Sequence, residues 1–135
     1  MADTATRWSH QASFEASPIS ASYARDFVTQ HLVDHRLLYL VDPIRLVASE
    51  LATNALVHAQ TAFVVTLSAS GQTVLLTVRD ESLPPPARRD AKAMDLSGRG
   101  LEIVDIVSLD WGVHQDRTTS KEVWASFAIT RRQAF

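Results

Sequence analysis

Hydrophobic and polar positions follow two different periods along this chain, and each period predicts a type of element. Alternation typical of strands and the i, i+3, i+4 spacing typical of helices succeed one another without an internal repeat. The predicted elements are a strand over 7–14, helices over 17–35 and 43–59, strands over 62–68 and 73–80 joined by a turn around Gly71, a helix over 100–107, and strands over 110–115 and 122–130. This order predicts an α+β fold, a two-layer α/β sandwich in which about three helices cover one face of a mixed, mostly antiparallel sheet.

Two proline-containing pairs predict where the first two helices begin. Ser17-Pro18 and Asp42-Pro43 each place a capping side chain before a proline, which a helix accepts at its first position. The apolar stretch 37–41 is expected to be a loop or helix tail against the core. The residues expected on the inner surface of the second helix are Leu46, Val47, Leu51, Ala55 and Leu56.

Length and composition predict one domain over 1–135, with 1–6 as a flexible tail. Hydrophobic residues make up 46% of the chain and charged residues 21%, which suits a packed core and a solvated surface. A net charge of -2 gives no reason to expect direct nucleic-acid binding, which needs a basic surface. The absence of cysteine excludes disulfides and thiolate metal sites. No apolar run predicts a signal peptide or a membrane segment, so a cytoplasmic location is expected.

Glu50, Asn54 and His58 recur every four residues on the second predicted helix, so a regular helix would present them along one side. One interpretation is a polar stripe that faces water, as such rows usually do. The other is a half-buried row that needs polar partners such as a metal ion and a phosphate chain, because burying an unpaired polar group costs about 2–7 kcal/mol. His31 and His35 share this spacing on the first helix, but two histidines on a surface helix without a third ligand rarely form a metal site.

A nearly continuous apolar strand ends at Asp80. An aspartate at a strand end is commonly a turn former. In a nucleotide site its carboxylate would instead accept a hydrogen bond from the adenine amino group, where guanine offers an oxygen. The segment 81–98 that follows contains three consecutive prolines with several Arg and Lys residues, and loops of this length in compact domains are usually functional or mobile.

Two of the chain's four glycines, Gly98 and Gly100, stand directly before a predicted helix. Glycine lets a backbone approach a ligand closely, and a helix N-terminus offers free N–H groups to phosphates. A simple glycine turn is the alternative. The segment is neither a Walker A motif nor a dinucleotide fingerprint, because it lacks the Gly-Lys-Ser/Thr of the first and the third glycine of the second.

Taken together, these segments resemble the Bergerat-fold (GHKL) ATP-binding family, which includes gyrase, heat-shock chaperone ATPases, mismatch-repair proteins and histidine kinases. The similarity is greatest to its small stand-alone branch, the bacterial anti-sigma-factor serine/threonine kinases and their actinobacterial relatives. It covers most of the chain and is most specific in the second helix. The segments that carry it are Ser17-Pro18, Ala24-Arg25-Asp26-Phe27, Ser49-Glu50-Leu51-Ala52-Thr53-Asn54-Ala55, Val57-His58-Ala59, Val78-Arg79-Asp80, Gly98-Arg99-Gly100-Leu101-Glu102-Ile103-Val104, Trp111-Gly112 and Lys121-Glu122-Val123-Trp124.

The resemblance implies a role for each matching residue. Asn54 would hold the Mg²⁺ that bridges the phosphates of ATP, and Glu50 would be the general base that takes a proton from a serine hydroxyl or a water. Asp80 would read adenine, and His58 is expected to be structural or to support its neighbours. The residues that would close over the phosphates, at the end of an ATP lid over 81–98, are Gly98, Arg99, Gly100 and Leu101.

Two departures from the family pattern bear on the base site. Ser82 and Pro84 stand where the family usually has glycines, so a side chain would crowd the base and lower the affinity for ATP. Lys121 and Glu122 stand where many members have Thr or Ser on the last strand. The polar side chains that would contact the adenine base are therefore not assigned.

Three functions remain in view. The first is a serine/threonine protein kinase that phosphorylates an anti-sigma-factor antagonist, binds a sigma factor, or does both. The second is an ATP-binding or degenerate switch or scaffold without kinase activity. A plain ATPase ranks last, because the other ATPases of the family rely on a transducer domain that 135 residues cannot hold. The resemblance also implies a homodimer.

Overall fold

The computed structural model describes residues 7–81, 98–115 and 120–130, which form a five-stranded sheet and three α-helices. The strands are β1 (Arg7–Phe14), β2 (Phe63–Ser70), β3 (Thr73–Asp80), β4 (Asp110–Gln115) and β5 (Lys121–Ala128). The helices are α1 (Ser20–Asp34), α2 (Val41–Asn54) and α3 (Gly98–Val107), with a 3₁₀ turn (Leu38–Leu40) before α2 and a π-helical turn (Ala55–Ala59) after it. The predicted α+β two-layer sandwich is confirmed, with antiparallel pairing at each of the four strand contacts instead of a mixed sheet.

The sheet has the order β1-β2-β3-β5-β4, so β1 and β4 form its edges. Side chains alternate between the two faces of a strand, and only one face is fully covered. The buried positions of the two central hairpin strands are Phe63, Val65, Leu67 and Ala69 on β2, and Val74, Leu76, Val78 and Asp80 on β3. Asp80 therefore continues the apolar row of β3 on its covered face.

The three helices lie side by side on that covered face. α1 contacts β1, α2 contacts β3 and β5, and α3 contacts β4, while α2 touches both of the other helices. Their buried side chains join those of the sheet in one hydrophobic cluster. Among the described residues, every helix is too short or too polar to cross a bilayer.

Both predicted helix starts are wrong by a few residues, because neither proline pair acts as a cap. α1 begins at Ser20 instead of Ser17, since the Ser17 carbonyl accepts the Ser20 N–H at 2.9 Å in a turn that precedes the helix. The Ser20 hydroxyl donates back to the Glu15 carbonyl at 2.8 Å. α2 begins at Val41, because the 3₁₀ turn runs directly into it, and Asp42 falls within its first turn.

The inner surface of α2 was predicted in part. Val47, Leu51 and Ala55 are buried as expected, whereas Leu46 is 41% exposed and Leu56 is only half-buried. The buried residues that the pattern missed are Ile44, Ala48 and Ala52. The small side chains of Ala48 and Ala52 on this stripe allow the helix to pack closely.

Some predictions fall on residues outside the described ranges. The tail 1–6 lies outside them, as do residues 82–97 of the predicted lid, including Ser82 and Pro84. The hairpin turn lies within them: Gly71 has φ +64°, in the left-handed region that favours glycine.

Candidate functional site

Glu50 and Asn54 are half-buried on the side of α2 that lies away from α1. The α1 side is marked by Ser49, whose hydroxyl oxygen lies 3.3 Å from the donating Nη1 of Arg25. An α-helix turns by about 100° per residue. Around the helix axis, Glu50 therefore lies about 100° and Asn54 about 140° from Ser49. Since α1 and α3 flank α2 over opposite halves of the sheet, both residues lie on the α3 flank.

The helix widens into a π-helical turn directly after Asn54. The Gln60 N–H donates to the Ala55 carbonyl at 2.8 Å, a five-residue step, and Gln60 ends the turn with φ +58°. Such turns are rare in proteins, and many of those that do occur lie at functional sites. The extra residue takes His58 out of the regular four-residue row that the sequence predicted.

His58 is exposed, yet it lies close enough to the sheet to feel a neighbouring charge. Partial desolvation of the imidazole lowers the pKa of His58, and the positive charge of Lys121 lowers it further. The expectation that His58 is structural or supports its neighbours stays a prediction. His58 lies close enough to Lys121 on β5 for the lysine charge to lower its pKa.

Asp80 is 3% exposed and faces the helical layer, unlike the solvated side chain of an ordinary turn residue. In the sheet register it lies between Phe63 on β2 and Lys121 on β5. The Lys121 Nζ is 3.9 Å from the Asp80 Oδ2, and the lysine side chain is 26% exposed. The carboxylate therefore sits at the rim of the core beside the Lys121 ammonium.

We call the end of the sheet that carries Phe63, Asp80 and Lys121 the Asp80 end. The π-helical turn contacts β3, and the chain leaves it to enter β2 at Phe63, so the C-terminal end of α2 with Asn54 lies at the Asp80 end. Glu50 stands one helical turn further back along α2.

The N-terminus of α3 lies at the same end. Only two residues separate α3 from β4, and the Trp111 Nε1–H donates to Asp105 Oδ1 at 2.8 Å, so the helix folds back along the strand. β4 ends at Gln115, opposite Lys121, and α3 runs in the opposite direction. The helical backbone of 98–101 thus begins near the Asp80 end, while the side chains of Arg99 and Leu101 lie outside what the structure describes.

The fold therefore gathers at one end of the sheet three features that are far apart in sequence: Asn54, Asp80 and the start of α3. It contains no group of three or more His, Cys, Asp or Glu side chains suited to a metal ion within 7–81, 98–115 and 120–130.

Sequence reasoning missed a second group of side chains, between β1 and α1. His31 and His35, expected on a surface helix, are half-buried and meet His10 of β1. The sequence carried two separate signals for this group, one in the period of the strand and one in the period of the helix. Trp8 and His10 share a face of the alternating strand, and His31 and His35 share a face of the helix, but their meeting depends on how the helix packs on the strand.

Comparison with known proteins assigns no family to the chain. No protein-family model matches it, and neither does any curated protein sequence. The function is therefore inferred from the residues of this chain and their positions.

Proposed function

We propose that this chain is an ATP-binding regulatory protein of the Bergerat-fold, anti-sigma-factor kinase type. In this role it uses Mg-ATP to phosphorylate an antagonist protein, binds a sigma factor, or does both, in the cytoplasm. The observation that carries the proposal is the common location of Asn54, Asp80 and the start of α3 at the Asp80 end of the sheet.

The residues present are chemically suited to a magnesium nucleotide. Mg²⁺ prefers oxygen ligands and is commonly held by one or two side chains together with substrate phosphates. The Asn54 carboxamide offers such an oxygen on the flank of α2 that faces α3. The backbone N–H groups at the start of α3 suit the phosphates. When bound, the cation supplies charge neutralisation on the phosphates.

Glu50 is the residue suited to proton transfer. It shares the α3 flank with Asn54 and is half-buried, which leaves its carboxylate accessible to a hydroxyl group brought by a partner protein. Its role is to accept the proton of a serine or threonine hydroxyl as that oxygen attacks the γ-phosphorus of ATP, while the bond from that phosphorus to the bridging oxygen breaks and ADP leaves. Catalysis of this kind depends mainly on positioning and electrostatic stabilisation.

Lys121 gives support to the second candidate, a switch or scaffold without kinase activity. The adenine amino group would need an oxygen of Asp80, and the Lys121 ammonium already lies 3.9 Å from that carboxylate. A base that binds here must share the carboxylate with the lysine or displace it. We therefore expect Lys121→Thr to tighten ATP binding, and unchanged affinity would argue against competition at Asp80.

Binding is tested by thermal unfolding with Mg-ATP. A ligand that binds only the native state adds about 2.7 kcal/mol of stability at 100 times its Kd. The wild-type protein should be stabilised, Asn54→Ala should lose the shift, and Thr53→Ala, an exposed neighbour on the same turn, should retain it. No shift in the wild type with Mg-ATP or Mg-ADP would overturn the proposal.

Phosphoryl transfer is tested separately, with labelled ATP and a candidate antagonist protein. Glu50→Gln keeps the size of the side chain and removes the base, so transfer should fall by about 100-fold or more, the typical contribution of a general base. Asp42→Asn, the same acid-to-amide change at the other end of α2, should leave transfer intact. ATP binding without transfer in the wild type would favour the switch.

A further inference from the structure

Three histidines meet where the edge strand β1 packs against α1, away from the Asp80 end of β3. The Nε2 atoms of His10 and His35 are 2.9 Å apart. His10 stacks on His31 with 3.8 Å between ring centroids, and Trp8 stacks on His35 at 3.9 Å with the two planes 4° from parallel. We call His10, His31 and His35 the histidine cluster.

The contact between His10 and His35 depends on protonation. An imidazole nitrogen accepts a hydrogen bond only when it carries no proton, so one of the two Nε2 atoms must be deprotonated. If both rings become imidazolium ions, two N–H donors and two positive charges face each other at 2.9 Å. The stacked His10 and His31 rings would add a third like charge at short range.

Within 7–81, 98–115 and 120–130, the residues around the cluster offer little to offset that charge. On the covered face, β2 presents Leu67 and Ala69 opposite His10 and Trp8, and α1 places the edge of Phe27 against His31 at 4.8 Å between centroids. Arg7 of β1 belongs to the exposed, opposite set of strand positions. The exposed Asp34 of α1 supplies a negative charge that favours protonation of His31 and His35.

The direction of the pH effect follows from these surroundings. Desolvation lowers the pKa of both His31 and His35, the neighbouring His10 lowers it further, and Asp34 opposes the change. A histidine whose pKa is lower in the folded than in the unfolded state stabilises the fold above the unfolded pKa. That contribution is lost as pH falls through the lowered folded values, because the unfolded chain then binds more protons.

We propose that the histidine cluster makes the attachment of β1 to α1 dependent on pH, so that mild acid releases this edge strand while the remainder of the sheet stays folded. β1 is suited to local release, since among the described strands it pairs with β2 alone and lies at one edge of the sheet. The trigger is the charging of rings that stack and share a hydrogen bond. This regulatory device is independent of nucleotide binding.

The wild-type protein provides the first test, with EDTA present so that protons are the only ligand varied. Amide exchange is compared at about pH 7.5 and about pH 5.5, on either side of the ordinary histidine pKa, after correction for intrinsic rates. Protection should fall in β1 by at least about tenfold and persist in β3 and β5. Equal protection of β1 at both pH values would overturn the proposal.

Variants provide the second test, through the pH dependence of the unfolding equilibrium. Its slope reports the protons taken up on unfolding. His35→Gln removes one member of the Nε2 pair and one ring whose pKa is lowered, so it should reduce the uptake, whereas Ser9→Ala, exposed on β1, should leave it unchanged. An unchanged uptake in His35→Gln would overturn the proposal. If His35→Gln fails to fold, NMR titration of the wild-type imidazoles decides: the pKa values of His31 and His35 must lie below the ordinary histidine value, and ordinary values for both would overturn the proposal.

Discussion

At the residue scale, one side chain fills the space that a glycine leaves. Gly112 on β4 lies opposite Trp124 on β5, and the indole covers the glycine on the face away from the helices. A Cβ built on Gly112 would lie 2.8 Å from Cζ2 and 2.9 Å from Nε1 of that ring. The pair is an aromatic side chain over a strand glycine, a device that compensates for the missing Cβ.

Gly112→Ala is therefore expected to destabilise the protein by about 1–3 kcal/mol, the usual cost of overpacking. Urea unfolding measures the change. In a Trp124→Leu background the same substitution should cost much less, because the ring that obstructs the methyl group is absent. An equal cost in both backgrounds would mean that the ring is not the cause.

His58 and Lys121 form a second pair whose coupling is measurable. Lys121→Met removes a positive charge that disfavours the imidazolium, so the pKa of His58 should rise toward its ordinary value without reaching it, because desolvation remains. NMR titration of the imidazole measures this. Lys121→Arg keeps the charge and should leave the pKa of His58 lowered, and identical titration curves for both variants would refute the coupling.

At the scale of elements, alternation predicted strands better than capping residues predicted helix starts. The bounds of β1 and β3 match the prediction, because one face of each strand is more covered than the other along its whole length. The starts of α1 and α2 do not, since Ser17 and Asp42 carry cap chemistry that the folded chain does not use. Local signals cannot show that a 3₁₀ turn will run into a helix.

The candidate site likewise combines features that the sequence predicts with features that only packing determines. Helical spacing was enough to place Glu50 and Asn54 on one flank of α2. The burial of Asp80, its contact with Lys121 and the π-helical turn depend on packing between distant segments, so the sequence offered no rule for them. The roles assigned to these residues through the family resemblance remain predictions.

The packing of α1 on α2 and the sheet is tested by one substitution at two positions. Val28 is fully buried and Val33 is 46% exposed on the same helix. Val28→Ala should cost about 2 kcal/mol or more, from two lost carbon groups and a cavity. Val33→Ala should change stability by less than about 0.5 kcal/mol, as surface substitutions usually do. Equal effects in urea unfolding would contradict the buried face assigned to α1.

At the scale of the whole molecule, one hydrophobic cluster links the sheet to its helical layer, from β1 at one edge to β4 at the other. The second face of the sheet has no helix over it among the described residues. Its central positions are half-buried and mix apolar with polar side chains, among them Val64, Thr66, Leu75, Thr77 and Trp124. The fold therefore rests on one continuous core.

A single core predicts that both edges of the sheet unfold together at neutral pH. Trp8 lies on β1 and Trp111 on β4, so fluorotryptophan incorporation gives a ¹⁹F NMR signal at each edge without a mutation. The two signals should follow one urea transition with the same midpoint, as expected of a small two-state domain. Separate midpoints would show that the edges belong to different cooperative units.

The π-helical turn also bears on how this fold tolerates changes in chain length. Its wide step from Ala55 to Gln60 accommodates one more residue than an ordinary helical turn does between the same two points. A shortened chain that lacked that residue could close the turn as a regular helix and still enter β2 at Phe63. We therefore expect a single-residue deletion to be absorbed here, upstream of the hairpin, with the pairing of the sheet left undisturbed.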